Sequence, residues 1–334
     1  MPTLERDLQH VLAHTHGVWD EFSGASIFIT GGTGFFGKWL LESFIAANQR
    51  HRLNARAVVL TRDATHGISS NPAISFHTGD IRSFEFPEGS FSHVIHAATP
   101  STGPAEMLDT IIQGTRRVLD FARCCSAKKL LFCSSGAVYG RQPPTLDRVP
   151  EDYNGAPDCL DPRSAYGEGK RAAELLCAAY ERDHGIQVKI ARCFAFLGPH
   201  LPLDAHFAAG NFLRDAMSGQ PICIQGDGTP YRSYLYTADL MIWLWTILAK
   251  GEAGRAYNVG SEVAINIASL ATTMVDVLAP GTPIQVMGAP VPGRLPERYV
   301  PCTARARSEL KLEQYIDLAD AIRRTADWYR QPSE

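Results

Sequence analysis

Tyr166 and Lys170 stand four residues apart in the stretch SAYGEGKRAAELL, residues 164–176, whose apolar positions recur at helical spacing. Four residues is about one turn, so the two side chains share a helix face. Tyrosine, with an ordinary pKa of about 10, is a poor base at neutral pH. A lysine ammonium one turn away favours the tyrosinate and lowers that value. Such a pair can take a proton from a hydroxyl, or return one, as a hydride transfer at the same carbon requires. Tyr and Lys also fall at this spacing on ordinary helices, so the rest of the chain must decide.

A partner for hydride chemistry is written near the start of the chain. The run TGGTGFFGKWLLESF follows the strand-like SIFIT, and Gly31, Gly34 and Gly37 match GxxGxxG while Gly32, Gly34 and Gly37 match GxGxxG. Three glycines between a strand and a helix allow a tight turn, close approach of backbone to pyrophosphate and close packing of helix on strand. The amides that open the helix, at Phe35 and Phe36 among others, then face the phosphates. The second strand ends VVLTRDA, with Thr61 where an NAD site usually places an acidic residue. Arg62 follows, either pairing with a 2′-phosphate or solvated beside Asp63. The cofactor expected is NAD or NADP, with a lean to NADP, and its positive nicotinamide ring is expected to act together with Lys170 in lowering the Tyr166 pKa.

The elements needed to hold these groups are legible as alternation. Strand-like runs at 26–30, 55–60, 74–78, 92–97, 129–134 and 187–192 alternate with helical stretches near 35–49, 107–127 and 164–184. That pattern predicts an α/β fold, a Rossmann-like doubly wound parallel sheet with helices on both faces. Beyond residue 195 Pro and Gly punctuation predicts a smaller C-terminal substrate-binding lobe over 196–334, with 256–260 as a strand returning to the sheet. Residues 23–195 form the expected dinucleotide-binding domain, and 1–22 an N-terminal helical extension with no identifiable chemistry.

Composition excludes several other classes. The chain has 334 residues, 45% hydrophobic and 20% charged, with a formal net charge of −3, and so carries no global field for nucleic acid or an anionic membrane. The most apolar run, LMIWLWTILA at 240–249, is half the length of a membrane span and reads as a buried helix under the small lobe. With charges near the N-terminus in place of an apolar leader, the expected location is cytoplasmic. The eight cysteines show no CxxC and no paired ligand spacing, so reduced thiols and no metal are expected.

Taken in order, Gly31-x-x-Gly34-x-x-Gly37, GDIR (79–82), HAA (96–98), SSGAVYG (134–140) and Tyr166-x-x-x-Lys170 resemble the extended short-chain dehydrogenase/reductase family, in its nucleotide-sugar epimerase/dehydratase branch. The resemblance runs from about residue 25 to 330. It implies that Asp80 and Ile81 contact adenine and that Ala97 and Ala98 line the cofactor. It implies that Ser135 hydrogen-bonds the reacting oxygen, where in isolation it would be a strand-end hydroxyl, and that Lys170 also holds the nicotinamide ribose. In the small lobe it implies a nucleotide-diphosphate sugar, with Arg232 on the pyrophosphate and Asn211 on a phosphate; Arg294 or Arg298 is either a second clamp or a solvated loop arginine. Thr99, Ser101 and Thr102 either touch the sugar or are ordinary loop hydroxyls. The family commonly forms homodimers through the helices at 107–127 and 164–184.

The reaction is narrowed by one departure. Sugar dehydratases of this family typically read TDEVYG and UDP-glucuronate decarboxylases TSEVYG, whereas this chain reads SGAVYG, with Gly136 and Ala137 in place of the proton shuttle. The remaining chemistry needs only Ser135, Tyr166, Lys170 and the cofactor: 4-epimerisation through a transient ketone, or reduction of a 4-keto sugar. Decarboxylation stays open because residues 161–180 and 211–240 look much like the decarboxylase subfamily. Two further alternatives are a reductase of non-nucleotide substrates and a non-catalytic NAD(P)-sensing protein.

Overall fold

A computed structural model describes residues 3–63, 71–100, 102–205 and 207–331. In chain order the elements are α1 (Thr3–His14), β1 (Ser26–Thr30), α2 (Phe35–His51), β2 (Arg56–Thr61), β3 (Ile74–Thr78), β4 (His93–His96), α3 (Pro104–Cys124), β5 (Lys129–Ser135), α4 (Ala165–His184) and β6 (Gln187–Cys193). Then follow β7 (Phe196–Leu197), α5 (Ala208–Met217), β8 (Ile222–Ile224), β9 (Tyr231–Arg232), β10 (Leu235–Tyr236), α6 (Thr237–Lys250), β11 (Arg255–Val259), β12 (Ile265–Asn266), α7 (Ile267–Leu278), β13 (Ile284–Val286), β14 (Arg298–Tyr299), α8 (Ala304–Leu310) and α9 (Leu318–Arg330).

Seven strands form one parallel sheet in the order β11-β6-β5-β4-β1-β2-β3. Alternate side chains point to opposite faces, which divides the core in two. Phe28, Leu130, Phe132, Val188 and Ile190 pack with α3 and α4, while Ile27, Ile29, Val59, Leu131 and Val259 pack with α2 and α6. Strand order reverses between β1 and β4, and the loops after those strands diverge there to leave the crevice where open α/β sheets bind ligands.

The helix expected beneath the small lobe lies elsewhere. Helix α6 packs against β5, β6, β11 and α2 of the large layer, with Trp243 and Trp245 fully buried. An all-round apolar helix must be covered all round, and here the sheet covers one side and α1 another. It also serves as the crossover that returns the chain to the sheet, since β11 pairs parallel to β6 from Arg255↔Lys189 to Val259↔Cys193.

Helix α1 is integral to this layer. Its buried Asp7 accepts hydrogen bonds from Tyr236 Oη at 2.5 Å and Arg324 Nη1 at 2.7 Å, which ties it to the start of α6 and to α9. His10 Nε2 lies 3.0 Å from buried Asp239, whose other oxygen accepts the Tyr315 and Ile316 amides. In the smaller lobe β9 sits between antiparallel β12 and parallel β14, so Arg232, Arg298 and Tyr299 share one ribbon. No helix among the described residues is long and apolar enough to cross a membrane, and no group of three or more His, Cys, Asp or Glu among them could hold a metal ion.

Candidate active site

The glycine turn after β1 is built for close approach. Gly31 has φ of +75°, and a Cβ there would lie 2.7 Å from the backbone joining Ala97 to Ala98. A Cβ on Gly37 would lie 2.1 Å from the Gly31 oxygen, so the helix can sit this tightly on the turn only without a side chain. Gly34 caps α2 with extended backbone and no side-chain cap, which leaves the first helical amides to a ligand. Phe35 and Phe36 open the helix, and Phe36 meets Phe196 edge-on at 5.1 Å, closing the turn against β7. The wall opposite is fixed by Ala97 N donating to Thr30 O (3.2 Å) and Ala98 N to Thr30 Oγ1 (3.3 Å). This cradle fits a dinucleotide pyrophosphate, and its bound nicotinamide would supply the acceptor or donor of a hydride.

His96 of the HAA motif proves to be part of the frame. Its Nδ1 lies 2.8 Å from Thr30 Oγ1 and its Nε2 3.1 Å from Thr115 Oγ1, and burial brings its pKa down to about 3. A neutral imidazole with both nitrogens engaged ties β1, β4 and α3 together. At the adenine end Asp80 is held by Arg82 through two hydrogen bonds of 2.8 and 3.0 Å, and this pairing lowers its pKa. Ile81 packs on α3 at Gly114. Arg62 is exposed at the end of β2, near enough to Asp80 to add to that lowering. Thr61 Oγ1 is engaged locally with Asp63, donating to its carbonyl and accepting from its amide.

The three sequence-selected catalytic residues come together where β5 and α4 meet. Ser135 ends β5 and its Oγ accepts the Ala137 amide at 3.1 Å, capping a short 3₁₀ turn. Lys170 is buried and donates to Cys133 O at 2.8 Å, with its ammonium 5.9 Å from the Tyr166 ring centre and 4.9 Å from that of Phe132. The sequence predicts that Lys170 and a positive nicotinamide ring together pull Tyr166 down; the protein's own groups do not do so by themselves. Burial pushes the Tyr166 hydroxyl up to about 12, and Ser135 is the group that opposes it. The reason is geometric: the ammonium sits by the ring and spends a proton on a carbonyl, while burial lowers its own pKa as well.

Other residues assemble around this trio unannounced by any motif. Tyr299 places its hydroxyl 3.4 Å from Ser135 Oγ, and its ring packs at a tilt of 37° against Phe194, centres 4.6 Å apart. Behind the strand, Glu174 pairs with Arg192 through contacts of 2.7 to 3.2 Å and accepts from Ser134 Oγ at 2.5 Å. Arg192 also donates to Tyr139 Oη (2.8 Å), which in turn donates to Asn258 Oδ1 (2.8 Å). The one sequence signal for Tyr299 is Gly136, where a Cβ would lie 2.8 Å from the Tyr299 hydroxyl.

On the substrate side the residues are dispersed. Arg232 faces Tyr299 across the β9–β14 register, its guanidinium 6.0 Å from the ring centre and donating to Tyr231 O. Arg298 lies over the Tyr231 ring at 4.4 Å and 3.5 Å from Asp147, while Arg294 pairs with Glu297 at 3.2 Å. Asn211 on α5, oriented by its surroundings, donates to Leu203 O (2.9 Å) and Ala205 O (3.2 Å) and so holds that loop. Thr99 is exposed, Thr102 buries an unpartnered hydroxyl, and Ser101 lies outside the described residues.

Comparison with known proteins agrees with this fold. The profile of the NAD dependent epimerase/dehydratase family matches residues 27–260, and the chain belongs to that family. It is 27% identical over 308 residues to UDP-glucuronic acid decarboxylase 6 of Arabidopsis thaliana, covering 90% of this chain and 87% of that one. It is 25% identical over 327 residues to a dTDP-glucose 4,6-dehydratase of Streptomyces antibioticus, at 91% and 92% coverage. Among solved structures, a UDP-glucose 4-epimerase from Thermotoga maritima with UDP-glucose superimposes with a TM-score of 0.75 at 20% identity, covering 91% of this chain and 98% of that one. The dTDP-glucose 4,6-dehydratase of Streptomyces venezuelae with NAD bound gives 0.77 at 24% identity, with 91% and 97% covered. The relatives are enzymes, and so is this chain.

Proposed function

We propose that this enzyme moves hydride between a nicotinamide and the carbinol or ketone carbon of a nucleotide-diphosphate sugar, as a 4-epimerase or a 4-keto-sugar reductase. The observation that carries the reading is the Ser135, Tyr166 and Lys170 cluster, which lies beside the dinucleotide cradle and has Gly136 and Ala137 where dehydratases of the family carry acid and base. Tyr166 takes or returns the hydroxyl proton, Ser135 holds the reacting oxygen, and Lys170 fixes Tyr166 and the cofactor ribose. Cofactor charge then supplies the positive field that Lys170 alone does not deliver to the tyrosine. Arg232 is the candidate for the diphosphate because its planar fork pairs bidentately with phosphate oxygens, with Asn211 and Arg298 supporting it and Thr99 at the sugar.

A second reading, UDP-glucuronate decarboxylation, draws support from the named relatives at 26–28% identity. Glu174, on the far side of β5, is occupied by Arg192 and Ser134, so it does not replace the carboxylate lost at Ala137. Arg62, exposed beyond a strand that ends in Thr61, is the candidate partner of a 2′-phosphate and hence of NADP. A homodimer through α3 and α4 fits Leu175, a large apolar side chain on α4 that is 73% exposed; sedimentation of the purified protein reads it directly.

The deciding experiment releases bound nucleotide from purified protein by denaturation and identifies it by mass. UDP- and dTDP-hexoses and UDP-glucuronate are then offered with NAD(H) or NADP(H). Retained cofactor with inversion at C4 supports epimerisation, while consumption of NADPH with a 4-keto sugar supports reduction. Carbon dioxide from UDP-glucuronate would establish the second reading, and indifference to every nucleoside diphosphate would remove both.

A further inference from the structure

The hydroxyl of Tyr299 stands in the centre of the catalytic cluster although 164 residues separate it from Ser135. Its place depends on Gly136. A Cβ at that position would lie 2.8 Å from Tyr299 Oη and 2.7 Å from the Phe194 ring, so no side chain at 136 coexists with this arrangement. The site has thus exchanged a side chain at 136 for a tyrosine hydroxyl reaching in from β14. The exchange is rigidly supported. Buried Gln142 accepts the Val300 amide at 2.9 Å, Val300 O accepts the Val149 amide at 2.9 Å, and the ring lies between Phe194 and Arg232.

Hydrogen-bond counting gives this contact a direction. A serine hydroxyl has one proton and two acceptor sites. The Ala137 amide fills one acceptor site of Ser135. One acceptor and one proton remain for the two tyrosines. If Tyr166 is to accept a proton from substrate, it must be able to sit as tyrosinate, which cannot donate. Ser135 then turns its proton toward Tyr166 or the reacting oxygen, and its last acceptor site is left to Tyr299.

On the catalytic reading above, we propose that Tyr299 is a positioning residue: its hydroxyl donates to Ser135 Oγ and thereby aims the Ser135 proton at Tyr166 and the reacting oxygen. Tyr299 keeps its own proton throughout, and no bond to it is made or broken. Burial raises the Tyr299 hydroxyl's pKa, which keeps the proton on it, with Ser135 and then Arg232, in register with Tyr299, opposing the rise. The other titratable groups facing the two tyrosines are Lys170 from α4, Cys133 from β5 and Cys193 from β6. Burial holds both thiols protonated, Cys133 with its pKa at about 12 and Cys193 well above its ordinary value. Lys170 is thus the one neighbour whose titration could be confused with that of Tyr166, and a probe on the phenol ring avoids this.

The test is a titration of Tyr166 itself, read by NMR on protein labelled with ¹³C at tyrosine Cζ and saturated with NAD, the resonance being assigned by its loss in Tyr166→Phe. Tyr299→Phe keeps the ring and removes only the donor, and should raise the Tyr166 midpoint by about one unit. Ser135→Ala should raise it too, and adding Tyr299→Phe to Ser135→Ala should give no further shift, because the serine is the route of the effect. An unchanged midpoint in Tyr299→Phe, or additive shifts in the double variant, would overturn the proposal. Gly136→Ala displaces the Tyr299 hydroxyl by another means and must move the midpoint in the same direction. With an active nucleotide sugar, Tyr299→Phe should lower kcat about tenfold with KM little altered and move the acid limb of the kcat profile to higher pH. If no nucleotide sugar is turned over, the catalytic reading fails while the titration still decides the coupling.

Discussion

Ser134 and Ser135 are adjacent on β5, both buried, and the strand sends them to opposite faces. Ser134 enters an ionic network in which Glu174, Arg192, Tyr139 and Asn258 engage one another. Ser135 enters a neutral cluster of hydroxyls with Tyr166 and Tyr299, the latter at 3.4 Å. The first arrangement is closed, and a charge pair held this way is costly to open from either side. The second holds hydroxyls that can exchange donor and acceptor roles, and groups with a movable proton are the ones available for chemistry. His96, engaged at both nitrogens, has the polarity of the second arrangement and the closure of the first.

The contrast can be broken most forcefully at Tyr166. Tyr166→Phe should lower kcat by roughly 10²–10⁴-fold while melting temperature and NAD affinity stay near those of the parent, as steady-state kinetics and calorimetry will show. Substantial residual turnover would remove the tyrosine from its role.

The opposite face should answer in stability. Arg192→Ala leaves Glu174 buried without its partner and should cost about 3–5 kcal/mol, read from urea unfolding, with turnover per folded molecule falling far less than in Tyr166→Phe. A variant that unfolds like the parent would show that this network is not closed as described.

His96 sharpens the comparison through pH. Its folded pKa of about 3 lies below the ordinary 6.5, so below 6.5 the unfolded chain takes a proton that the folded protein refuses. Stability is therefore complete above pH 6.5 and declines as pH falls from there toward 3. His96→Gln should flatten the decline between pH 6.5 and 4 in urea titrations, and an unaltered slope would locate the acid sensitivity elsewhere.

The smallest effect belongs to the half-exposed pair Asp80–Arg82. Arg82→Gln should leave the urea unfolding midpoint close to that of the parent, as expected of a solvent-screened pair, and register in dinucleotide affinity. A large loss of stability would mean that the pair is structural.

The site was legible in the sequence wherever its chemistry depends on neighbours along the chain. Gly31, Gly34 and Gly37 announce a turn because the steric demand is met within seven residues, and Tyr166 and Lys170 meet because one helical turn puts them together. The same local logic is incomplete at Lys170: adjacency on the helix sets the ammonium beside the Tyr166 ring, but its hydrogen bond goes to the carbonyl of Cys133 on β5, which the helix alone does not reveal. Helix α6 was visible as apolar, yet nothing in its composition told the sheet from the small lobe as its cover.

What the sequence by itself determined is therefore the alternation of strand and helix, the dinucleotide turn and the Tyr166–Lys170 face, because each follows from periodicity or sterics over a few residues. Tertiary structure decided the rest: that α6 is covered by the sheet, that Glu174 finds Arg192, and that Tyr299 reaches Ser135 through the space Gly136 leaves empty. Those contacts join segments brought close only by packing, and a missing side chain at one position acquires meaning only when the ring that fills its space is known.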